Sequence, residues 1–186
     1  MGIQNGNDDP AYVLRGVRTG FGVFLASQTV VFITIIAVRF LMAYGSVGPY
    51  SQALGAVITV LMVASALVAR TSRQAVKNGD LSAMAGRLVV ALALGAAAFL
   101  LVLLEWVALR QSGIAMTTPT LEVYFTLTGF WLLYALIGGF LLIAARARGL
   151  RVGYTAASHW DLEAATYFWT FVALAWIAVY LVLYVL

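Results

Sequence analysis

The chain has 186 residues, 63% of them hydrophobic and 10% charged, with a net charge of +4. Its mean hydropathy is +0.98, whereas a soluble domain is nearer half apolar and a quarter charged, so a soluble globular fold is excluded. The absence of cysteine and the single histidine exclude disulfides and thiol catalysis, and leave too few ligands for a haem, copper or zinc site in this chain alone.

The first stretch, residues 1-18, is polar and reads as a short N-terminal segment ahead of a membrane domain spanning 19-186. It lacks the apolar core of a cleavable signal peptide. Five apolar runs follow, at Gly20–Tyr44, Ser51–Ala69, Leu88–Leu109, Tyr124–Ala145 and Ala165–Leu186. Each reaches the roughly 20 residues that lipid requires. None alternates as a barrel strand would, and backbone amides in hydrocarbon must pair internally. The predicted fold is therefore all-α, an integral membrane bundle of five transmembrane helices.

In the first run Gln28 is a polar residue within the span, and Arg39 lies toward its far end. Arg39 either snorkels to the headgroups or pairs with an acid, Glu105 being one candidate. The connector after the second run carries Asn78-Gly79-Asp80, a turn followed by a helix N-cap. The third run holds Glu105 in FLLVLLEWVALR. Charges within a span are costly and face a partner or a cavity. Two readings stand: an acid reaching water or Arg110 at the interface, or an acid packed against a neighbouring helix.

Thr118-Pro119 marks the start of the fourth run, which contains Gly129, Trp131, Tyr134 and Gly138. Small residues of this kind let neighbouring backbones approach within membranes. The fifth run is preceded by Ser158 and Asp161, spaced as a capping box. His159 and Glu163 open it, and Trp169 and Trp176 fall seven apart on one face, where packing is the expected role.

Basic residues divide sharply among the connectors. Arg15, Arg18, Arg70, Arg73, Lys77, Arg87, Arg146, Arg148 and Arg151 lie on one side, and only Arg39 and Arg110 depart from it. The positive-inside rule puts the N-terminus in the cytoplasm. Lipid headgroups and topology account for this charge, so nucleic acid is not an expected partner.

The last run, HWDLEAATYFWTFVALAWIAVYLVLY, resembles the final helix of subunit III of the haem–copper oxidases, H-x-x-x-E-A-A-x-x-Y-W-H-F-V-D-x-x-W. His159, Glu163, Ala164, Ala165, Trp169, Phe171, Val172 and Trp176 fall on that pattern, as do Tyr180 and Tyr184 beyond it. Thr170 and Ala173 stand where the family puts histidine and aspartate. YFTLTGFWLLYALIGG is similar to F-x-x-T-G-F-H-G-x-H-V-x-x-G through Thr128, Gly129, Phe130 and Gly138, with Trp131 and Tyr134 in place of its histidines. In the first run Ser27 and Phe32 match F-x-x-S-E-x-x-F-F, and Gln28 takes the place of its glutamate. Glu105-Trp106 matches an acid–aromatic pair at the end of the family's third-from-last helix.

The resemblance implies the short, five-helix form of subunit III, a non-catalytic accessory subunit of a respiratory terminal oxidase that braces the catalytic subunit and packs lipid. It implies haem and copper in partner subunits, catalytic subunit I among them, and bound phospholipid. The expected location is the bacterial cytoplasmic membrane. An accessory subunit of a nitric oxide reductase complex is the alternative within the superfamily. A small transporter or channel subunit using Glu105 is the alternative from another class.

The charge distribution generates a direct test. Lys77→Cys and Arg148→Cys should react with impermeant thiol reagents from the cytoplasmic side only, and Ser112→Cys from the opposite side. The reverse labelling pattern would refute the orientation.

Overall fold

The computed structural model describes residues 10–43, 48–115, 117–156 and 158–186. Five long helices account for nearly all of them: α1 (Pro10–Met42), α2 (Gln52–Lys77), α3 (Leu81–Gln111), α4 (Pro119–Arg151) and α5 (Trp160–Tyr180). A π-helical turn, Leu181–Val185, closes the chain. All five helices are long and apolar enough to cross a membrane, and no strand occurs among the described residues.

The first four helices are each longer than the apolar stretch that predicts them. α1 begins at Pro10 rather than near Gly20, and α4 runs on through Arg146, Arg148 and Arg151. At about 1.5 Å per residue, the 33 residues of α4 extend roughly 50 Å, beyond the roughly 30 Å of hydrocarbon. The ends stand among headgroups and water, where charged side chains carry no desolvation cost. The expected end of the first run, Tyr44, lies outside the described residues.

Local chemistry sets the ends. Asp80 is the N-cap of α3, its side chain accepting from Ala83 N at 2.8 Å. Gly79 before it adopts φ +78°, a conformation that favours glycine. Gly79 N donates to Val76 O and Asp80 N to Ala75 O, which closes α2 in a Schellman motif. Pro119 takes the first turn of α4 behind Thr118, where its missing N–H costs nothing.

The capping box expected at Ser158 does not form. Ser158 N donates to Thr155 Oγ1 and O instead. That turn holds Ser158 outside the helix and leaves His159 at the N-cap position, without a side-chain cap bond.

α2 and α3 pack along their length as a hairpin, and α5 packs against both α2 and α4. α1 leans on α4 and, less, on α5. It leaves Val17, Val23, Val30 and Ile33 exposed toward lipid. Lipid tails are as apolar as these side chains, so burial from water does not drive the assembly; fit and hydrogen bonds between helices do.

The fit is aromatic. Trp131 and Trp176 are completely buried and lie with ring centroids 4.5 Å apart. Trp169 sits in a slot between α3 and α4. A Cβ added at Gly95 would lie 2.3 Å from its ring, and one at Gly138 would lie 2.7 Å from it. Gly138 thus makes room for an indole rather than for a neighbouring backbone, which corrects the sequence-based expectation. Gly129 has only ordinary contact with Trp106, at 3.6 Å.

The slot yields a paired prediction. Gly95→Ala should destabilise the bundle by about 1–3 kcal/mol, because a rigid ring backs the new methyl group. Gly86→Ala, in the same helix but with open space around it, should be neutral or stabilise by up to about 1 kcal/mol. Thermal unfolding in one mild detergent, followed by circular dichroism, measures both. Equal effects would mean that the ring does not fill the slot.

Candidate functional site

The residues singled out from the sequence gather in three layers along the bundle. The first lies at the end opposite the basic connectors and centres on Glu105, which is 4% exposed. Its Oε1 accepts from Ser51 N at 2.8 Å. Its Oε2 accepts from Tyr124 OH at 2.7 Å and from Tyr184 OH at 2.6 Å. Ser51 is also the N-cap of α2, so the carboxylate lies at the positive end of that helix, a favourable place for negative charge.

Tyr50 stacks on Tyr124 with centroids 4.8 Å apart and meets Tyr184 edge-on at 4.9 Å. Burial pushes the Tyr50 hydroxyl above its ordinary value. Arg39 opposes that shift through its positive charge, while Glu105 adds to it.

Both open questions about these charges are thereby answered. Glu105 is packed, with its donors on α4, at the start of α2 and on the terminal turn, and it does not reach out to Arg110. Arg39 is 3% exposed, so its guanidinium is enclosed by protein rather than snorkelling. Its positive charge acts on the Tyr50 hydroxyl, which Glu105 also influences. The sequence marked Glu105 and Arg39 but not the tyrosines that gather beside Glu105. The signal available was the recurrence of tyrosine at one end of three separated segments.

The middle layer holds the aromatic and small polar residues. Each of four indole N–H groups finds an acceptor. Trp169 donates to Ser65 Oγ at 2.8 Å, Trp176 to Thr59 Oγ1 at 3.0 Å, and Trp131 to Val172 O at 3.0 Å. Trp106 donates to Thr128 Oγ1 at 3.0 Å. Ser65 passes its own hydrogen to Ala91 O at 2.6 Å, so one serine joins α2, α3 and α5. Tyr134 OH donates to Gln28 Oε1 at 2.6 Å, joining α4 to α1. Gln28 and Tyr134 stand where the resemblance places a glutamate and a histidine. Two titratable positions have thus become a neutral hydrogen-bonded pair.

The third layer lies at the basic end. Arg18 Nη2 bonds Glu163 Oε2 at 2.7 Å, and the Arg18 guanidinium lies 5.4 Å from the Trp160 ring centre. Together these fasten α1 to α5. His159 is buried, with Nε2 3.4 Å from Glu163 Oε1 and Nδ1 3.1 Å from Thr155 O. A carbonyl only accepts, so Nδ1 carries a proton. Arg148 pairs with Asp161 across the α4–α5 connection. Tyr154 donates to Ala145 O at 3.1 Å. Burial first, and then the Asp161 charge, raise its pKa and keep that proton in place.

Among the described residues no three His, Cys, Asp or Glu side chains converge in a way that could hold a metal. His159 offers only Nε2, which faces Glu163, and no second histidine or cysteine exists to join it. These residues do not fit a haem or a copper ion. The three layers tie helices to one another.

The family model for cytochrome c oxidase subunit III matches residues 3–186 of the chain. The chain belongs to the cytochrome c oxidase subunit III family. Cytochrome c oxidase subunit 3 of Tragelaphus imberbis is 29% identical over 129 residues, covering 68% of this chain and 48% of that relative. The same subunit of Loxodonta africana is 28% identical over 129 residues, 68% of this chain and 48% of the relative. That of Branchiostoma lanceolatum is 23% identical over 190 residues, 94% of this chain and 71% of the relative. The chain spans about half the length of the first two relatives. Family membership and five membrane-spanning helices together make it an integral membrane protein. None of these likenesses favours the nitric oxide reductase or transporter alternatives.

The Glu105 layer yields a graded prediction. In Glu105→Gln the tyrosine hydroxyls can turn to accept from the amide, so thermal stability in detergent should fall only slightly. Glu105→Ala takes the carboxylate acceptor from the buried Tyr124 and Tyr184 hydroxyls, at about 1–3 kcal/mol each, and should fall much further. Tyr184→Phe should lie between them. Equal stability of the Gln and Ala variants would show that the carboxylate is not the centre of this cluster.

Proposed function

We propose that this chain is a non-catalytic accessory subunit of a respiratory haem–copper terminal oxidase. In this reading it docks against catalytic subunit I, which with other subunits carries the haem and copper, and it braces that subunit and packs phospholipid. The N-terminus faces the cytoplasm, and the complex lies in a bacterial cytoplasmic membrane. The observation that carries the reading is the family match along almost the whole chain, joined to a bundle in which Gln28, Ser65, Glu105 and Tyr134 bond to neighbouring helices.

Glu105 is held by three donors, and Gln28 and Tyr134 satisfy each other. Among the described residues no string of titratable side chains is left to pass protons through the bundle, which supports bracing over ion transport. Exposed leucines, valines and phenylalanines on the outer faces supply an apolar surface for partner helices or lipid.

A tag on this chain, mild-detergent extraction and a visible spectrum test the proposal. Haem absorption should copurify with the tagged chain from its native membrane and should persist in high salt, since few exposed ion pairs are open to screening. The chain purified alone should show no Soret band. Haem bound tightly to the isolated polypeptide, or a tagged chain that never brings haem with it, would overturn the assignment.

A further inference from the structure

We propose that Tyr124 and Tyr184, which share one oxygen of Glu105, form a redox-active pair. One phenol gives an electron to a strong one-electron oxidant while its proton moves to Glu105. The pair goes beyond the bracing role and draws only its oxidant from the function proposed above, since a dioxygen-reducing haem–copper partner would generate oxidants of this class.

A buried phenol resists losing an electron because a positive charge is left behind, and an unpaired charge in low dielectric is costly. A base already in place removes that cost. Tyr124 OH lies 2.7 Å and Tyr184 OH 2.6 Å from Glu105 Oε2, within the reach that proton transfer requires. Ser51 N donates to the other oxygen, so the base is fixed in direction as well as in distance. In the step the phenolic O–H bond breaks and an O–H bond forms on Glu105. The oxidant gains one electron, and the tyrosine is left as a neutral radical. The site passes from one negative charge to none, so no isolated positive charge arises in the bundle.

The surroundings suit a radical. Tyr50 stacks on Tyr124 with centroids 4.8 Å apart and planes 14° from parallel, so the electron-poor ring meets an electron-rich face. The two hydroxyl oxygens are 3.4 Å apart, and a hydrogen atom can cross between them while Glu105 keeps the proton it received. Both tyrosines are buried, and half-buried Tyr180 stacks on Tyr184 at 5.6 Å. Other buried phenols lack the base. Tyr134 donates to the amide of Gln28 and Tyr154 to the carbonyl of Ala145, and neither acceptor holds a proton at neutral pH.

The test uses the full chain in mild detergent with a ruthenium tris-bipyridine photo-oxidant and a cobalt(III) amine as the final electron acceptor. Transient absorbance gives the rate, and electron paramagnetic resonance identifies the radical. The wild type should give a long-lived radical whose spectrum narrows when ring-deuterated tyrosine is supplied. Glu105→Gln, expected to stay folded but offering no base, should form it at least about a hundredfold more slowly, the lower end of what a positioned base contributes. Tyr124→Phe combined with Tyr184→Phe should abolish it, and Tyr134→Phe should leave it unchanged. A wild type without a long-lived tyrosyl radical, an unchanged rate in Glu105→Gln, or a radical that survives the double variant would overturn the proposal. Circular dichroism checks each fold, and Glu105→Gln decides even where the double variant unfolds. No partner is present in this experiment, so a missing radical beside intact haem copurification fails the redox pair alone.

Discussion

Inside a bilayer an indole ring gains nothing by leaving lipid for protein unless it fits closely and its N–H finds an acceptor. Trp169 meets both conditions at one place. Its ring occupies the space that Gly95 and Gly138 leave by lacking side chains, and its Nε1 reaches Ser65 on a third helix. Since Ser65 in turn donates to Ala91 O, the positions of α2, α3, α4 and α5 all depend on this one side chain. Trp176 and Trp131 repeat the arrangement a turn or two away, with ring against ring and each N–H satisfied. The aromatic residues of α5 and α4 therefore do the work that burial from water does in a soluble core.

The charged ends follow the same economy. Glu105 is tolerable in hydrocarbon because three donors, from the start of α2, from α4 and from the terminal turn, converge on it. The π-helical turn at Leu181–Val185 carries Tyr184 to that carboxylate, so the end of the chain is tied down by it. At the other end Arg18 and Glu163 hold α1 against α5. That pair is half-exposed on the arginine side, and exposed pairs of this kind contribute at most about 1 kcal/mol. α1 accordingly remains the least enclosed helix, fixed mainly by Gln28–Tyr134 and by Phe32 against Tyr134 and Phe171.

Much of this was legible in the sequence because hydrocarbon imposes so few solutions. Five apolar runs dictate five helices, and glycine, proline and aspartate at the connectors mark turns such as Gly79-Asp80 and Pro119. Helix ends were less legible. Hydropathy ends where charge begins, whereas α1 and α4 continue as helices through Arg15, Arg18, Arg146 and Arg148. The Trp169–Trp176 spacing indicated packing, but the glycine slot that receives Trp169 involves α3 and α4, far away in sequence. The partners of Glu105 were hidden for the same reason: Ser51, Tyr124 and Tyr184 are 54, 19 and 79 residues distant from it. Ser158 misled because a local pattern with the right spacing was already committed to a turn with Thr155.

We propose that this five-helix unit is a brace whose polar groups are engaged internally while the redox chemistry of haem and copper lies in its partners. Electron cryo-microscopy of the complex purified through a tag on this chain tests it most directly. The account predicts the five-helix bundle with the Trp169 ring between Gly95 and Gly138, Glu105 enclosed by Tyr124 and Tyr184, and every haem and copper held by other chains. Haem density within the bundle, or a water-filled file leading through it to Glu105, would contradict the account.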